Sequence, residues 1–322
     1  MKKKNTFIAV ILIFIIVFML ISPQNSILAC FKGINVWAST LLPALFPFFF
    51  ITKLLAETGG IEKLGSLLAP ITQKLYNAPG ISGYVWAMGI ISGYPVSAKL
   101  TSDLYKNNVI SKGQACRITA FTSTSGPLFI VGSVGVGMFF NQKIGIIMLL
   151  SHILGATLNG LIYRNYMTNE TFVPAINIEH KSDDNILENC MLSAIKSVLI
   201  VGGYVCFFFM IITIINNFGL FTPINWALSK ILPLSYSTIS SITNGIVEVT
   251  RGCLDLSTLG LKPTVLCVIA TALISFGGFS IFLQALTFLK SFGISTAFYF
   301  VIKITQTLLS SVIAFIFCLI LL

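Results

Sequence analysis

Ten acidic and twenty basic side chains in 322 residues leave this chain only 9% charged, against 56% hydrophobic residues and a mean hydropathy of +0.93. Soluble domains carry about 25% charged residues, so the composition excludes a soluble globular fold and points to an all-α polytopic membrane protein. The net charge of +10 is read as membrane topology, because Lys and Arg gather in cytoplasmic loops; the lipid bilayer is the expected partner, and nucleic acid is not.

Residues 1–4 form a basic cap, and residues 7–21 an apolar run. A cleaved leader is one reading, since Ile27-Leu28-Ala29-Cys30 faintly resembles a lipoprotein cleavage site. The polar Ser22-Pro23-Gln24-Asn25 between them favours an uncleaved helix with a cytoplasmic N-terminus, and residues 1–30 are taken as an N-terminal transmembrane unit. Residues 34–56 form a second span, kinked by Pro43 and Pro47, which break the backbone ladder. In residues 61–76, Lys63 and Lys74 alternate with leucines, the pattern of a helix lying on the membrane surface.

Residues 81–96 are Gly-rich and end at Gly93-Tyr94-Pro95. They fall short of the roughly 20 residues that cross a bilayer, so a re-entrant hairpin returning through 101–109 is expected. Residues 118–140 are a full span interrupted by Thr122-Ser123-Thr124-Ser125-Gly126-Pro127, which predicts two half-helices with an unwound middle. Residues 144–164 span again and carry His152 and Asn159. The hydrophilic loop 165–189 holds Glu170, Glu179, Asp183, Asp184 and Glu188 and reads as a solvated linker.

Beyond the linker the order recurs. Residues 191–216 span, 224–232 are amphipathic with Lys230, and 239–249 are a short apolar limb leading to Thr250-Arg251-Gly252. Residues 265–289 are a span broken at Ser275-Phe276-Gly277-Gly278, and 295–322 form the last span, with Lys303, Thr305 and Gln306 on it. A shift of 152 residues pairs Gly93 with Gly245, Asp103 with Asp255, Thr119 with Thr271, Ser123 with Ser275, Gly126 with Gly278, and Lys99 with Arg251. Two transport repeats, 31–164 and 190–322, are therefore expected. Lys53, Lys63, Lys74, Lys99, Lys106, Lys112 and Arg117 crowd the loops of the first, against Lys230, Arg251 and Lys262 in the second. That asymmetry predicts inverted halves.

Paired, interrupted segments in two halves are the best sequence pointer to a transporter's binding site. Ser97, Tyr94, Thr122, Ser123, Thr124, Ser125, Gly126, Asn244, Ser275, Gly277, Gly278 and Ser280 are the expected substrate contacts, through hydroxyls and the positive ends of half-helices. Lys99 and Arg251 are read in two ways. Either both face a shared cavity and bind a substrate with two negative groups, or each pairs locally, with Asp103 and Asp255 at i+4. Glu248 is an intramembrane acid, read either as the site of a coupling ion (a proton or Na+) or as a counter-ion to Arg251. His152 is expected to be a hydrogen-bonded interior residue. Seven scattered cysteines at 30, 116, 190, 206, 253, 267 and 318 read as reduced packing residues. No P-loop, HExxH or paired zinc-type cysteines occur, so no metal, cofactor or catalytic residue is expected and the chain is not read as an enzyme.

At these residues a family resemblance emerges. Leu45-Phe46-Pro47-Phe48-Phe49, residues 92–99 (SGYPVSAK), residues 121–127 (FTSTSGP), Gly132-Ser133-Val134-Gly135 and Thr243-Asn244-Gly245 resemble the YlbJ-type sporulation integral membrane proteins, within the wider nucleoside-recognition "Gate" families. The resemblance implies a fold similar to one protomer of the concentrative nucleoside transporters, with hairpins and broken helices around a midplane site. It also implies a role in endospore formation, moving dipicolinic acid from mother cell to forespore across the outer forespore membrane. Dipicolinate, a flat ring with two carboxylates, would suit two cations with Phe121 or Phe276 against the ring. A nucleoside or other small-anion carrier and a non-transporting scaffold of the sporulation membranes are the alternatives, and a second copy of the chain is a candidate partner in a homo-oligomer.

Overall fold

The computed structural model describes residues 2–58, 60–168 and 185–322. The acidic centre of the linker, with Glu170, Glu179, Asp183 and Asp184, lies outside them. Among the described residues the chain is built from helices alone, and five are long and apolar enough to cross a membrane.

The apolar run at the N-terminus is α1 (Lys2–Ile21). The second span begins earlier than its hydropathy suggests, at α2 (Pro23–Val36), and continues as α3 (Leu42–Glu57). Its polar start is helical because Pro23 fits the first helical turn, where no backbone N–H is needed, while Ser26 Oγ donates to Ser22 O at 3.0 Å. The expected distortion lies just ahead of the prolines. Pro43 has no N–H to give, and the ladder widens into a π-helical segment, Trp37–Leu41, in which Leu42 N–H donates to Trp37 O. Trp37 Nε1 donates to Val198 O at 3.0 Å and ties this segment to α9 (Ile186–Asn217).

Each half then runs through the same four steps. In the first, amphipathic α4 (Gly60–Tyr76) leads to a hairpin of α5 (Ser82–Ser92) and α6 (Val96–Lys106). A broken span follows, α7 (Lys112–Thr122) and a π-helical stretch Leu128–Met138, and then the long α8 (Gln142–Ile162). In the second, amphipathic α10 (Thr222–Ile231) leads to a hairpin of α11 (Tyr236–Val247) and α12 (Val249–Ser257). Broken α13 (Pro263–Phe276) and α14 (Gly278–Leu289) follow, then α15 (Thr296–Leu321).

The breaks have local causes. Pro127 cannot continue the ladder of α7 across Ser123–Ser125. Gly277 (φ 87°) and Gly278 (φ 69°) are both left-handed, a pair of conformations only glycine adopts cheaply. Two cores flank the breaks. One joins Val134, Ile147, Phe209, Val249, Cys253 and Leu273. The other is built on Tyr76, Trp86, Phe121, Phe282 and Tyr299, with the Tyr76 and Phe121 rings stacked at 4.0 Å. No disulfide joins the seven cysteines, five of which are buried.

Candidate substrate site

Each hairpin tip rests on the break of its own half. A Cβ on Gly93, itself at φ 72°, would run into the backbone nitrogen of Gly126. In the second half the glycine is on the other partner: a Cβ on Gly278 would lie 3.1 Å from Gly245 O and from Val249 N. The repeat is thus visible as packing, although its register is looser than the sequence shift suggests. The first tip is the three residues 93–95 and the second is Glu248 alone; Ser123 lies within its break, whereas Ser275 lies in the last turn of α13.

The two halves meet at the first tip. Tyr94 Oη donates to Ser123 O at 2.8 Å and lies 3.5 Å from Ser275 O, so one phenol stands between both breaks. His152, fully buried on α8, spans them as well: its Nε2 accepts from the Ser125 backbone N–H at 2.9 Å, and its Nδ1 lies 2.8 Å from Ser275 Oγ. An Nε2 that accepts carries no proton, so the Nδ1–H tautomer donates to Ser275. The expected interior histidine is a strut between the two broken helices.

Lys303 reaches this junction from α15. Its Nζ donates to Tyr94 Oη, to Gln306 Oε1 at 3.0 Å and to Ser123 O at 3.5 Å, and lies 4.6 Å from the Tyr94 ring centre. Lys303 is 1% exposed. All three acceptors are neutral, and no carboxylate among the described residues bonds to it. An ionisable side chain buried in a membrane span without an opposite partner is costly and by default marks a functional position. Gln306 Nε2 donates to Ser123 O at 3.0 Å, and Ser123 Oγ lies 3.2 Å from Tyr299 Oη. The crevice beside this network, lined by Tyr94, Ser97, Thr119, Thr122, Ser123 and Tyr299, is closed to a molecule the size of water.

A second polar group sits on the other hairpin. Glu248 caps α12, its two carboxylate oxygens accepting from Thr250 N–H at 3.0 Å and Arg251 N–H at 2.7 Å. Arg251 Nε donates to both oxygens of Asp255 at 2.9 Å, and its guanidinium lies 5.3 Å from the Phe209 ring centre. Asn244 Nδ2 donates to Asp255 Oδ2 at 2.8 Å and accepts at Oδ1 from Asn216 Nδ2 at 3.1 Å.

The structure therefore gathers Tyr94, Ser123, Ser125 and Ser275 into one network and Arg251, Asp255, Asn244 and Glu248 into another. Of the two local readings of the cation pair, Arg251 adopts the i+4 bond to Asp255. Lys99 is exposed, and no bond joins it to the half-buried Asp103. Thr122 Oγ1 donates to Ile118 O, within its own helix, at 2.9 Å; Thr124 is fully buried and Ser280 nearly so. Phe121 is committed to the Tyr76 stack, and Phe276 packs among Phe279, Phe282 and Phe300. Sequence reasoning left Lys303, Gln306 and Tyr299 unranked. The available signal was that Lys303 is the single charge in the 26 residues of α15.

Residues 38–143, from the π-helical segment to the start of α8, match a protein-family model, Gate, described as nucleoside recognition. The family resemblance read from the sequence holds. Over 97% of its length the chain is 28% identical to the sporulation integral membrane protein YlbJ of Bacillus subtilis (strain 168), covering 82% of that protein. Among solved structures it is similar to the concentrative nucleoside transporter CNTnw in an inward-facing substrate-bound state, with TM-score 0.59 and 15% identity over 86% of this chain and 74% of that one. A CNTnw variant in the intermediate 3 state gives TM-score 0.59 and 15% identity over 99% and 86% of the two chains. The fold is similar to that of CNTnw, and five helices among the described residues are long and apolar enough to cross a membrane.

Proposed function

We propose that this protein is a secondary transporter of a small aromatic dicarboxylate, dipicolinate, and moves it from the mother cell toward the forespore through the outer forespore membrane. The observation that carries this reading is Lys303, a basic side chain buried without a carboxylate where the first hairpin tip meets both broken helices. A site held positive in this way favours an anion. The N-terminus of α14 at Gly278, which has no side-chain cap, adds a positive dipole end. Arg251, on the second hairpin, supplies the second cation, and it becomes available to a carboxylate by exchanging Asp255. Lys99 is replaced by Lys303 in the expected pair. The sporulation relative supports the setting, and the resemblance supports the substrate. Because the crevice is closed, entry requires the Gly93–Pro95 tip to leave the Ser123–Gly126 break. A coupling ion and a homo-oligomer are compatible with this scheme and are not required by it.

The nucleoside-recognition family description favours a second reading, a nucleoside carrier. Buried amides and acids suit ribose and base, and Asn244 and Glu248 offer them on the second hairpin side. One experiment separates the two. Spores are assayed for dipicolinate from strains whose only copy is Lys303→Met or Lys99→Ala, with membrane protein level matched. The anion reading expects Lys303→Met spores to lack dipicolinate while Lys99→Ala spores fill normally. Normal filling by Lys303→Met overturns it. Uptake of labelled nucleoside by the wild type in proteoliposomes, indifferent to dipicolinate, would install the second reading.

A further inference from the structure

We infer that the ammonium of Lys303 occupies a monovalent-cation site, so that the protein carries in its own chain a cation that such a site would otherwise take from solution. Three oxygens from three separate elements converge on Nζ: the phenol of Tyr94 at the hairpin tip, the carbonyl of Ser123 at the break, and the amide oxygen of Gln306 on α15. Hydroxyl, carbonyl and amide oxygens without a carboxylate are the donor set that suits a singly charged hard cation.

The hydrogen-bond directions leave lone pairs of Tyr94 Oη and Gln306 Oε1 facing inward whatever fills the middle, with Ser123 O, which already accepts from both side chains, at its edge. Tyr94 spends its proton on Ser123 O, at 2.8 Å, leaving a lone pair for Nζ. Gln306 spends its Nε2 on the same carbonyl, at 3.0 Å, which turns Oε1 toward Nζ. Ser123 also stands at the C-terminal end of the half-helix α7, where aligned peptide dipoles leave negative charge. Unwound carbonyls and half-helix C-termini are the groups with which secondary transporters hold a dissociable coupling ion. Here that position is filled by an ammonium on a four-carbon tether. It cannot diffuse away, so the cation and α15 move together, and the site needs no sodium from outside.

The test uses the full-length protein purified in detergent, with sodium, potassium and N-methylglucamine chlorides at equal ionic strength. Wild-type thermal unfolding midpoints are expected to coincide in all three. Lys303→Ala empties the oxygen cage; its midpoint is expected to fall by several degrees and to be restored, saturably, by sodium or potassium but not by N-methylglucamine. Adding Gln306→Leu should abolish the restoration. A Lys303→Ala protein blind to alkali cations overturns the inference. So does a wild type stabilised saturably by sodium, and that arm decides even if the variant fails to fold. The inference draws on the transporter reading only for its consequence, uptake without a sodium gradient. If dipicolinate uptake fails while the midpoints behave as stated, the substrate is wrong and the resident cation stands.

Discussion

The two hairpins share a topology and differ in where their polar groups look for partners. The first sends Tyr94 outward, to the break of its own half at Ser123 and toward that of the other at Ser275, where it receives the distant Lys303. The second satisfies itself: Glu248 caps its own second limb, and Arg251 binds Asp255 one turn on. The first hairpin has no such internal provision, since the start of α6 lacks a side-chain cap and Lys99 does not bond Asp103. Repeat-related positions thus do different work. The first hairpin is held in place by tertiary contacts, and the second carries bonds within itself in addition to its contacts with Asn216 and Phe209.

Substitutions at the two glycine contacts test this division most severely. Gly93→Ala places a side chain at φ 72°, ψ −163°, a region essentially reserved to glycine, at about 1–3 kcal/mol, and against the backbone of Gly126, where overpacking adds about 1–3 kcal/mol. It should give the largest fall in unfolding midpoint and abolish uptake. Gly278→Ala is at positive φ too, but its contacts at 3.1 Å allow small shifts, so its fall should be the smaller. Equal falls would mean that both tips are clamped alike.

Glu248→Ala should cost about 1 kcal/mol, the usual worth of a helix cap, with no counterpart in the first hairpin. A thermal or denaturant titration of the purified variant reads it. The ion pairs come last. Arg251 and Asp255 keep 15% and 18% side-chain exposure, so a double-mutant cycle should return a coupling of about 0.5–1 kcal/mol. The same cycle on Lys99 and Asp103 should return none. A measurable Lys99–Asp103 coupling would erase the contrast between the hairpins.

Composition and periodicity alone determined that the chain is helical, multi-pass and doubled, because apolar length, Gly and Pro breaks and surface amphipathicity are local properties that no tertiary contact reverses. The broken spans at 122–127 and 275–278, both hairpins and the amphipathic helices are found within a few residues of where the sequence puts them. The start of the second span was misplaced because Ser22-Pro23-Gln24-Asn25 looks like a loop, and only a proline in a first turn makes it helical. Which cation matters was not local. Lys99 and Arg251 align in the repeat, yet a helix can turn one to solvent and the other onto its own i+4 neighbour. Lys303 lies 209 residues from Tyr94 in sequence, and no pattern along the chain announces that distance closed. Only packing of α15 against α8 and α13 brings Lys303 to the breaks, where it meets neutral oxygens alone.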